Sequence, residues 1–170
     1  MTLTEKFRGK KIRWTKEGFF SRKYKLFSDN EQVGELGFPK YFNTSADIKL
    51  FGHELEALSP SMFKSRMELK EKNTGTLLAV FLKERFLKPS DILVGEKKFT
   101  LHTTFFNRRF FFKNDSGAVV LEFEMKGWFS SYAEVKVEPV FIQKDEFPIL
   151  LVFGWYLIIR LNERHAAAAA

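Results

Sequence analysis

Residues 147–159 read Phe-Pro-Ile-Leu-Leu-Val-Phe-Gly-Trp-Tyr-Leu-Ile-Ile, a stretch without a single charged side chain. Asp145 can cap a helix just before this stretch, and Pro148 falls in the first turn, where a missing N–H is tolerated. Arg160 and Arg164 follow, where cations complement the negative end of a helix dipole. The pattern predicts a helix over about residues 146–162 that is apolar on every side.

The residues before this helix read as a meander of short strands separated by Gly, Asn, Asp and Pro. In the first predicted strand Ile12 and Trp14 share one face, and in the second Phe20, Tyr24 and Leu26 share one face. Further strands are predicted over residues 32–38, 47–51, 54–58, 67–71, 77–81, 92–94, 99–106, 109–113, 119–123, 128–132 and 133–137.

A helix that is apolar on every side must be surrounded. The uncharged stretch is short for a bilayer span, which needs about 20 residues. The strands themselves can provide the surround, because a closed sheet wraps the helix and pairs every strand edge. We therefore predict a mainly β fold, a closed antiparallel β-barrel of about 12 strands wrapped around a hydrophobic C-terminal helix.

Two predicted hairpins resemble each other, at residues 67–81 around Lys-Asn-Thr-Gly and at residues 109–123 around Lys-Asn-Asp-Ser-Gly. Residues 24–36 form a looser copy. Asn and Gly suit the positive φ angles of tight hairpins. A spacing of ~40 residues indicates either an internal repeat or the similarity that any β-meander produces.

The length of 170 residues fits one domain, which we place at residues 1–165. The five alanines at 166–170 are treated as a tail. The absence of Cys excludes disulfides, thiolate zinc sites and a Cys nucleophile. Because the N-terminus has no apolar core of signal-peptide length, we expect a cytoplasmic protein. Peripheral association with a membrane stays open.

The last third of the chain carries a family resemblance. Residues 110–120 read Phe-Phe-Phe-Lys-Asn-Asp-Ser-Gly-Ala-Val-Val, residues 133–139 read Ala-Glu-Val-Lys-Val-Glu-Pro, and residues 145–162 have an acidic start and an apolar body. This pattern resembles the tubby-like superfamily, which includes tubby C-terminal domains, phospholipid scramblases and LURP-one-related proteins. The resemblance implies a barrel around a central helix and a lipid-binding module. The scramblase Cys cluster and acidic calcium loop are missing, and no phosphoinositide ligand of tubby matches a position here.

The net charge of +7 is concentrated at the N-terminus. Residues 1–25 hold nine basic and two acidic side chains, whereas the rest of the chain holds 19 of each sign. Such asymmetry indicates an anionic partner, namely a membrane surface, a phosphorylated ligand or a nucleic acid. The alternative is a basic face that only water covers.

Strand alternation places Lys11 and Arg13 on the outer face of the first strand, and Lys23 and Lys25 on the outer face of the second. If the two strands pair, we expect the four cations to cluster as a binding site for anionic lipid or a phosphorylated ligand. Each cation near an anionic leaflet contributes about 1 kcal/mol. Nucleic acid is the less favoured partner, because no known nucleic-acid-binding module fits.

Two aromatic residues beside this predicted hairpin have two interpretations. Phe19 and Phe20 either dip into a membrane interface or pack in the core, and core packing is the favoured interpretation.

Catalytic motifs do not emerge from the sequence. His53, His102 and His165 stand far apart, Ser130 and Ser131 lack a nucleophile context, and the glycines form no phosphate-binding motif. Glu122 and Glu124 share one strand face, which usually faces solvent. We predict a non-enzymatic binding module without metal or cofactor. A protein-interaction scaffold and an enzyme with an unrecognised site stay open.

Overall fold

The structure is a computed structural model that describes residues 3–39, 44–59, 66–83, 89–104, 108–127 and 132–169. The helices are α1 (Leu3–Phe7) and α2 (Glu146–Ala169), and a 3-10 turn spans Phe141–Gln143. The strands are β1 (Ile12–Lys16), β2 (Lys23–Ser28), β3 (Glu31–Gly37), β4 (Ala46–Leu50), β5 (His53–Leu58), β6 (Arg66–Glu71), β7 (Leu77–Leu82), β8 (Ser90–Val94), β9 (Lys97–Thr104), β10 (Arg109–Lys113), β11 (Val119–Lys126) and β12 (Tyr132–Val137).

The strands form one closed antiparallel barrel. Each strand pairs with its neighbours in chain order, and β1 pairs with β12 to close the sheet. In this closing pair Ile12 lies opposite Val135, and Trp14 lies opposite Ala133. The predicted fold class is confirmed: the protein is a twelve-stranded barrel with a C-terminal helix.

Alternation along the strands sorts the side chains between the interior and the outer wall. On β4, Ala46, Ile48 and Leu50 are buried, whereas Lys49 between them is exposed. The inward side chains pack around α2, which is buried at every position from 150 to 159. Among the described residues, no helix has the length and apolarity needed to cross a membrane.

Gly154 lets the barrel wall approach the helix closely. A Cβ atom built on Gly154 would lie 2.8 Å from Phe112 Cζ and 3.2 Å from Phe123 Cε2. Both rings are fully buried, so they have little room to move away. This packing explains why a residue that costs a helix about 1 kcal/mol stands in its middle.

The three similar hairpins share an irregularity. The strand register shifts between Leu26 and Phe27, between Leu69 and Lys70, and between Phe112 and Lys113. Positions 27, 70 and 113 are 43 residues apart, which is close to the spacing of the sequence look-alikes. The shared position of the bulge supports the internal-repeat interpretation.

Three sequence predictions differ from the structure in detail. The helix α2 starts at Glu146 as predicted but continues to Ala169, so the alanine run through residue 169 belongs to the helix. The predicted strand over 128–132 and the end of the strand over 99–106 lie mostly outside the described residues. Phe20 was predicted in the second strand, but β2 begins at Lys23.

The two ends of the barrel are distinct. At the α1 end, α1 covers the opening and α2 begins, with Phe7 and Phe147 in edge-to-face contact at 5.2 Å. At the loop end, the β1–β2 loop (residues 17–22) meets the far part of α2 through Arg22 and Glu163. The antiparallel order places the tight turns after β2, β4, β6, β8 and β10 at the α1 end.

Candidate functional site

The four predicted binding residues all lie on the outer wall of the β1–β2 hairpin. Lys11 and Lys23 are exposed, and Arg13 and Lys25 are half-buried. The strand residues between them point into the barrel and are more buried, as alternation predicts. We call Lys11, Arg13, Lys23 and Lys25 the basic stripe.

The hairpin register spreads these cations along the wall. Arg13 lies opposite Phe27, another outward residue. The Glu17 N–H donates to the Lys23 carbonyl at 2.9 Å, which places Lys23 beside residue 17. Lys11 is six positions before Glu17 in the chain, and six residues of strand span roughly 20 Å. The structure therefore places the cations on one wall without gathering them at one point.

Carboxylates partly neutralise two members of the basic stripe. Lys11 Nζ lies 3.2 Å from Glu134 Oε1, and Lys25 Nζ lies 3.5 Å from Glu17 Oε1. All four side chains retain substantial exposure, and such surface pairs contribute only about 0–1 kcal/mol. These cations can therefore exchange their carboxylate for another anion at little cost.

The other two members keep their charge available. The Arg13 guanidinium stacks 5.2 Å from the centroid of the Phe27 ring. Within the part of the chain that the structure describes, neither Arg13 nor Lys23 has a carboxylate within the 4.0 Å of an ion pair. Arg13 and Lys23 are thus the strongest anion-binding candidates of the stripe.

A groove of about 580 Å³ crosses the outer wall beside the stripe, over β2 to β5. Both stripe lysines of β2 line it. Farther along, Lys49 pairs with Glu35 at 3.1 Å, and Lys72 pairs with Asp47 at 2.9 Å. Because it carries both signs of charge, the groove suits a partner of mixed charge better than a polyanion.

The β1–β2 loop exposes two aromatic rings. Phe19 is 66% exposed and Phe20 is 88% exposed, and the two rings meet edge to face at 4.9 Å. The favoured prediction, packing in the core, is wrong for both. The alternation of apolar residues extends back to Phe20, but β2 begins only at Lys23. Phe20 therefore lies in the loop and does not share the inward face of Tyr24.

A group at the loop end joins this loop to α2. We call Arg22, Arg160 and Glu163 the arginine clasp. Arg22 Nη2 donates to Glu163 Oε1 at 2.6 Å, and Arg160 Nη1 donates to Glu163 Oε2 at 2.5 Å. The Arg22 guanidinium also lies 4.1 Å from the centroid of the Phe38 ring. Sequence reasoning missed this group, because Arg22 and Glu163 are 141 positions apart.

Two tyrosines lie close to the clasp. Burial raises the pKa of Tyr24 to about 12, and the Glu163 carboxylate adds to the rise. Burial also raises the pKa of Tyr156 to about 12, and its hydroxyl donates to the Thr44 carbonyl at 2.8 Å. Both hydroxyls therefore stay protonated at neutral pH.

The two histidines whose side chains the structure describes, His53 and His102, lie on different strands. His53 is exposed at the start of β5. His102 Nε2 shares a hydrogen bond with Thr100 Oγ1 at 3.0 Å, and burial, assisted by the charge of Lys113, lowers the pKa of His102. Over the described ranges, no group of three or more His, Asp or Glu is placed to hold a metal. The His165 side chain and Ser130 and Ser131 lie outside the described residues.

The carboxylates of β11 take part in a surface ion-pair network. Glu124 Oε1 lies 2.8 Å from Lys126 Nζ, and Glu124 Oε2 lies 3.4 Å from Lys136 Nζ. The hydrogen bond from Lys126 is the main cause that lowers the pKa of Glu124 to about 2. An acid of that strength is a poor proton carrier near neutral pH. The network fits a solvent-facing role for this strand face.

The fold and site together define a helix-filled β-barrel with a basic outer stripe. No protein-family model and no curated protein sequence matches the chain. A solved structure is similar in fold: the X-ray structure of a protein from Arabidopsis thaliana superposes with a TM-score of 0.64 and 11% sequence identity. The match covers 94% of this chain and 96% of that chain. At this identity the similarity shows the fold alone.

Proposed function

We propose that the protein is a non-enzymatic, tubby-like binding module that engages anionic lipid headgroups or phosphorylated ligands through the basic stripe. The main support is that all four stripe cations share one outer wall, with Arg13 and Lys23 outside any ion pair in the described chain. The barrel interior is filled by α2, so a ligand must bind on the wall or at an end.

Charge placement around the stripe adds to this proposal. The nine cations of residues 1–25 include four without a carboxylate partner in the described part of the chain, namely Arg8, Arg13, Lys16 and Lys23. Uncompensated cations raise the local concentration of anions and speed their encounter. The N-terminal excess is thus available at the surface.

Vesicle co-sedimentation tests the proposal. Wild type should bind phosphatidylcholine vesicles that contain phosphatidylserine and leave pure phosphatidylcholine vesicles unbound. A soluble arm with inositol phosphate separates binding of a free phosphorylated ligand from binding of a lipid surface. The test variant reverses the stripe: Lys11→Glu, Arg13→Glu, Lys23→Glu and Lys25→Glu.

A matched variant controls for net charge by reversing four lysines on other strands: Lys70→Glu, Lys98→Glu, Lys113→Glu and Lys136→Glu. We expect the stripe variant to lose binding and the matched variant to keep most of it. Binding that survives stripe reversal, or that both variants lose equally, would count against the proposal.

The groove favours a second candidate, a protein-interaction or scaffold domain. Its alternating ion pairs, such as Lys49 with Glu35, offer both donors and acceptors to a polar partner. This candidate predicts no difference between anionic and neutral vesicles. The same sedimentation experiment therefore separates the two functions.

A further inference from the structure

We propose that the β1–β2 loop inserts Phe19 and Phe20 into the interface of an anionic bilayer, with the loop end of the barrel facing the membrane. This inference rests on the proposed function and names its anionic partner as a lipid surface. Two adjacent large aromatic rings at 66% and 88% exposure are its starting observation.

Hydrogen bonds within the loop and the contact of Arg22 with α2 hold these rings outward. Lys16 Nζ donates to the Phe19 carbonyl at 2.9 Å, and the Ser21 N–H donates to the Gly18 carbonyl at 3.3 Å. At the end of the loop, Arg22 is fixed to Glu163 of α2 at 2.6 Å. The exposure of the rings is therefore part of a tethered loop conformation. A preorganised loop avoids the entropic cost of ordering when it binds.

Cations surround the rings. Residues 16–25 contain four cations and one carboxylate, a net charge of +3. Lys16 lies at the loop itself, and Lys23 follows it directly without an ion pair in the described chain. Aromatic rings that enter the apolar boundary, flanked by cations at the level of the headgroups, form the pattern that holds peripheral proteins on anionic leaflets.

The described part of this surface fits a bilayer better than a protein partner. A stable protein interface buries about 800 Å² on each side. In the described chain, the other large exposed apolar residues lie on the wall or toward the α1 end: Leu77, Leu93, Val119 and Val140. Among the described residues, the large exposed apolar side chains at the loop end are therefore these two rings, a small apolar point that a bilayer can receive.

This orientation predicts unequal contributions of the basic-stripe residues to vesicle binding. Lys23 lies next to the loop, whereas Lys11 is roughly 20 Å away along β1. Charges separated by more than about 8 Å are largely screened at physiological ionic strength. End-on insertion thus predicts that Lys23→Glu weakens vesicle binding clearly and that Lys11→Glu has little effect.

The main test measures binding to phosphatidylserine-containing vesicles. We expect Phe19→Ser with Phe20→Ser to weaken binding about tenfold or more, because each ring loses its burial in the apolar boundary. The matched control is Leu77→Ser with Val140→Ser, which removes exposed apolar side chains elsewhere and should bind as wild type does. Unchanged thermal unfolding confirms that each variant is folded.

A depth measurement supplies an independent readout. The chain has no Cys, so Phe20→Cys can be labelled at a single position with an environment-sensitive fluorophore. We expect a blue shift and quenching by spin-labelled acyl chains on anionic vesicles. The same label at Val140→Cys should report water throughout.

The outcomes are separable. If stripe reversal abolishes binding but the serine pair at Phe19 and Phe20 binds as wild type does, or the label at Phe20→Cys stays in water while the protein is bound, the insertion inference is wrong and the proposed function stands. If the wild-type protein does not bind anionic vesicles, the insertion inference is wrong, and so is the part of the proposed function that concerns lipid headgroups.

Discussion

The described contacts of α2 differ between the α1 end and the loop end of the barrel. At the α1 end, Phe7 is fully buried and meets Phe51 at 5.6 Å and Phe147 at 5.2 Å, edge to face. At the loop end, Arg22 and Glu163 join the wall to the helix through an ion pair. Among the described residues, buried aromatic packing thus marks the α1 end, and a partly exposed ion pair marks the loop end.

This difference suggests that one end of the barrel contributes mainly to stability and the other to binding. Apolar packing is not screened by salt, whereas a partly exposed Arg–Glu ion pair is weakened by added salt and by protonation of the carboxylate at low pH. The exposed rings of Phe19 and Phe20 lie at the end where Arg22 and Glu163 form their ion pair. We infer that the α1 end serves the fold and that the loop end tolerates the exposure that binding requires.

The largest effect should come from disrupting α2, the helix that contacts both ends of the barrel. Trp155 of α2 is 1% exposed and stacks on Trp14 with ring centroids 5.9 Å apart. Trp155→Asp would bury an unpaired charge at a cost of several kcal/mol, comparable with the whole stability of a domain. We expect no soluble folded protein, as judged by circular dichroism and yield. Trp155→Phe is the control, and a cooperative thermal transition in the Asp variant would contradict the buried-helix assignment.

The next effect compares one Phe from each end. Phe7→Ala should lower the free energy of unfolding by about 3–5 kcal/mol, because it empties a fully buried site. Phe20→Ala should change it by less than about 0.5 kcal/mol, since that ring is exposed. Urea denaturation measures both values. Equal losses would show that the two ends do not divide the roles as inferred.

Alkaline pH should act through the loop end. The folded pKa values of Tyr24 and Tyr156 are about 12, above the ordinary value of 10.0. Their stabilising effect is complete below pH 10 and is lost as pH rises toward 12, because the unfolded chain ionises first. The slope is about 1.4 kcal/mol per pH unit for each tyrosine. Urea denaturation from pH 9 to about 12 should show a shallower decline in the Tyr24→Phe and Tyr156→Phe variant than in wild type.

The smallest effect concerns the arginine clasp. Glu163 is 36% exposed, so solvent screens its ion pairs, and Glu163→Gln should lower stability by only about 1 kcal/mol. The loss should shrink as sodium chloride is added. A cycle with Arg22→Gln isolates the pair itself. A coupling energy that does not depend on salt would mean that packing, and not charge, joins Arg22 to Glu163.

The sequence predicts the fold well because the decisive signals are local. The uncharged stretch before Arg160 and the period of two in the strands require no knowledge of distant contacts. The start of α2 at Glu146 follows from charges beside it. The prediction ends the helix at about residue 162 because it treats the alanines as a tail, whereas α2 continues to Ala169.

The candidate site is predicted less completely, because it depends on register and on distant partners. Alternation gives the outward direction of Lys11 and Lys23, but their separation follows only from the pairing of β1 with β2. Apolar alternation continues across a turn to Phe20, and no local residue marks the point where the chain leaves the wall. The contact between Arg22 and Glu163 has no local signal at all.

The position of α2 inside the barrel also constrains how the protein can be made. In chain order the helix follows every strand, and the closing pair joins Ile12 to Val135. On the ribosome the strands therefore emerge before the segment around which they must fold. Until then their apolar faces are open to aggregation and to chaperones. We expect nascent chains that stop before residue 146 to be insoluble or rapidly degraded, because the barrel cannot complete its core until the helix has been made.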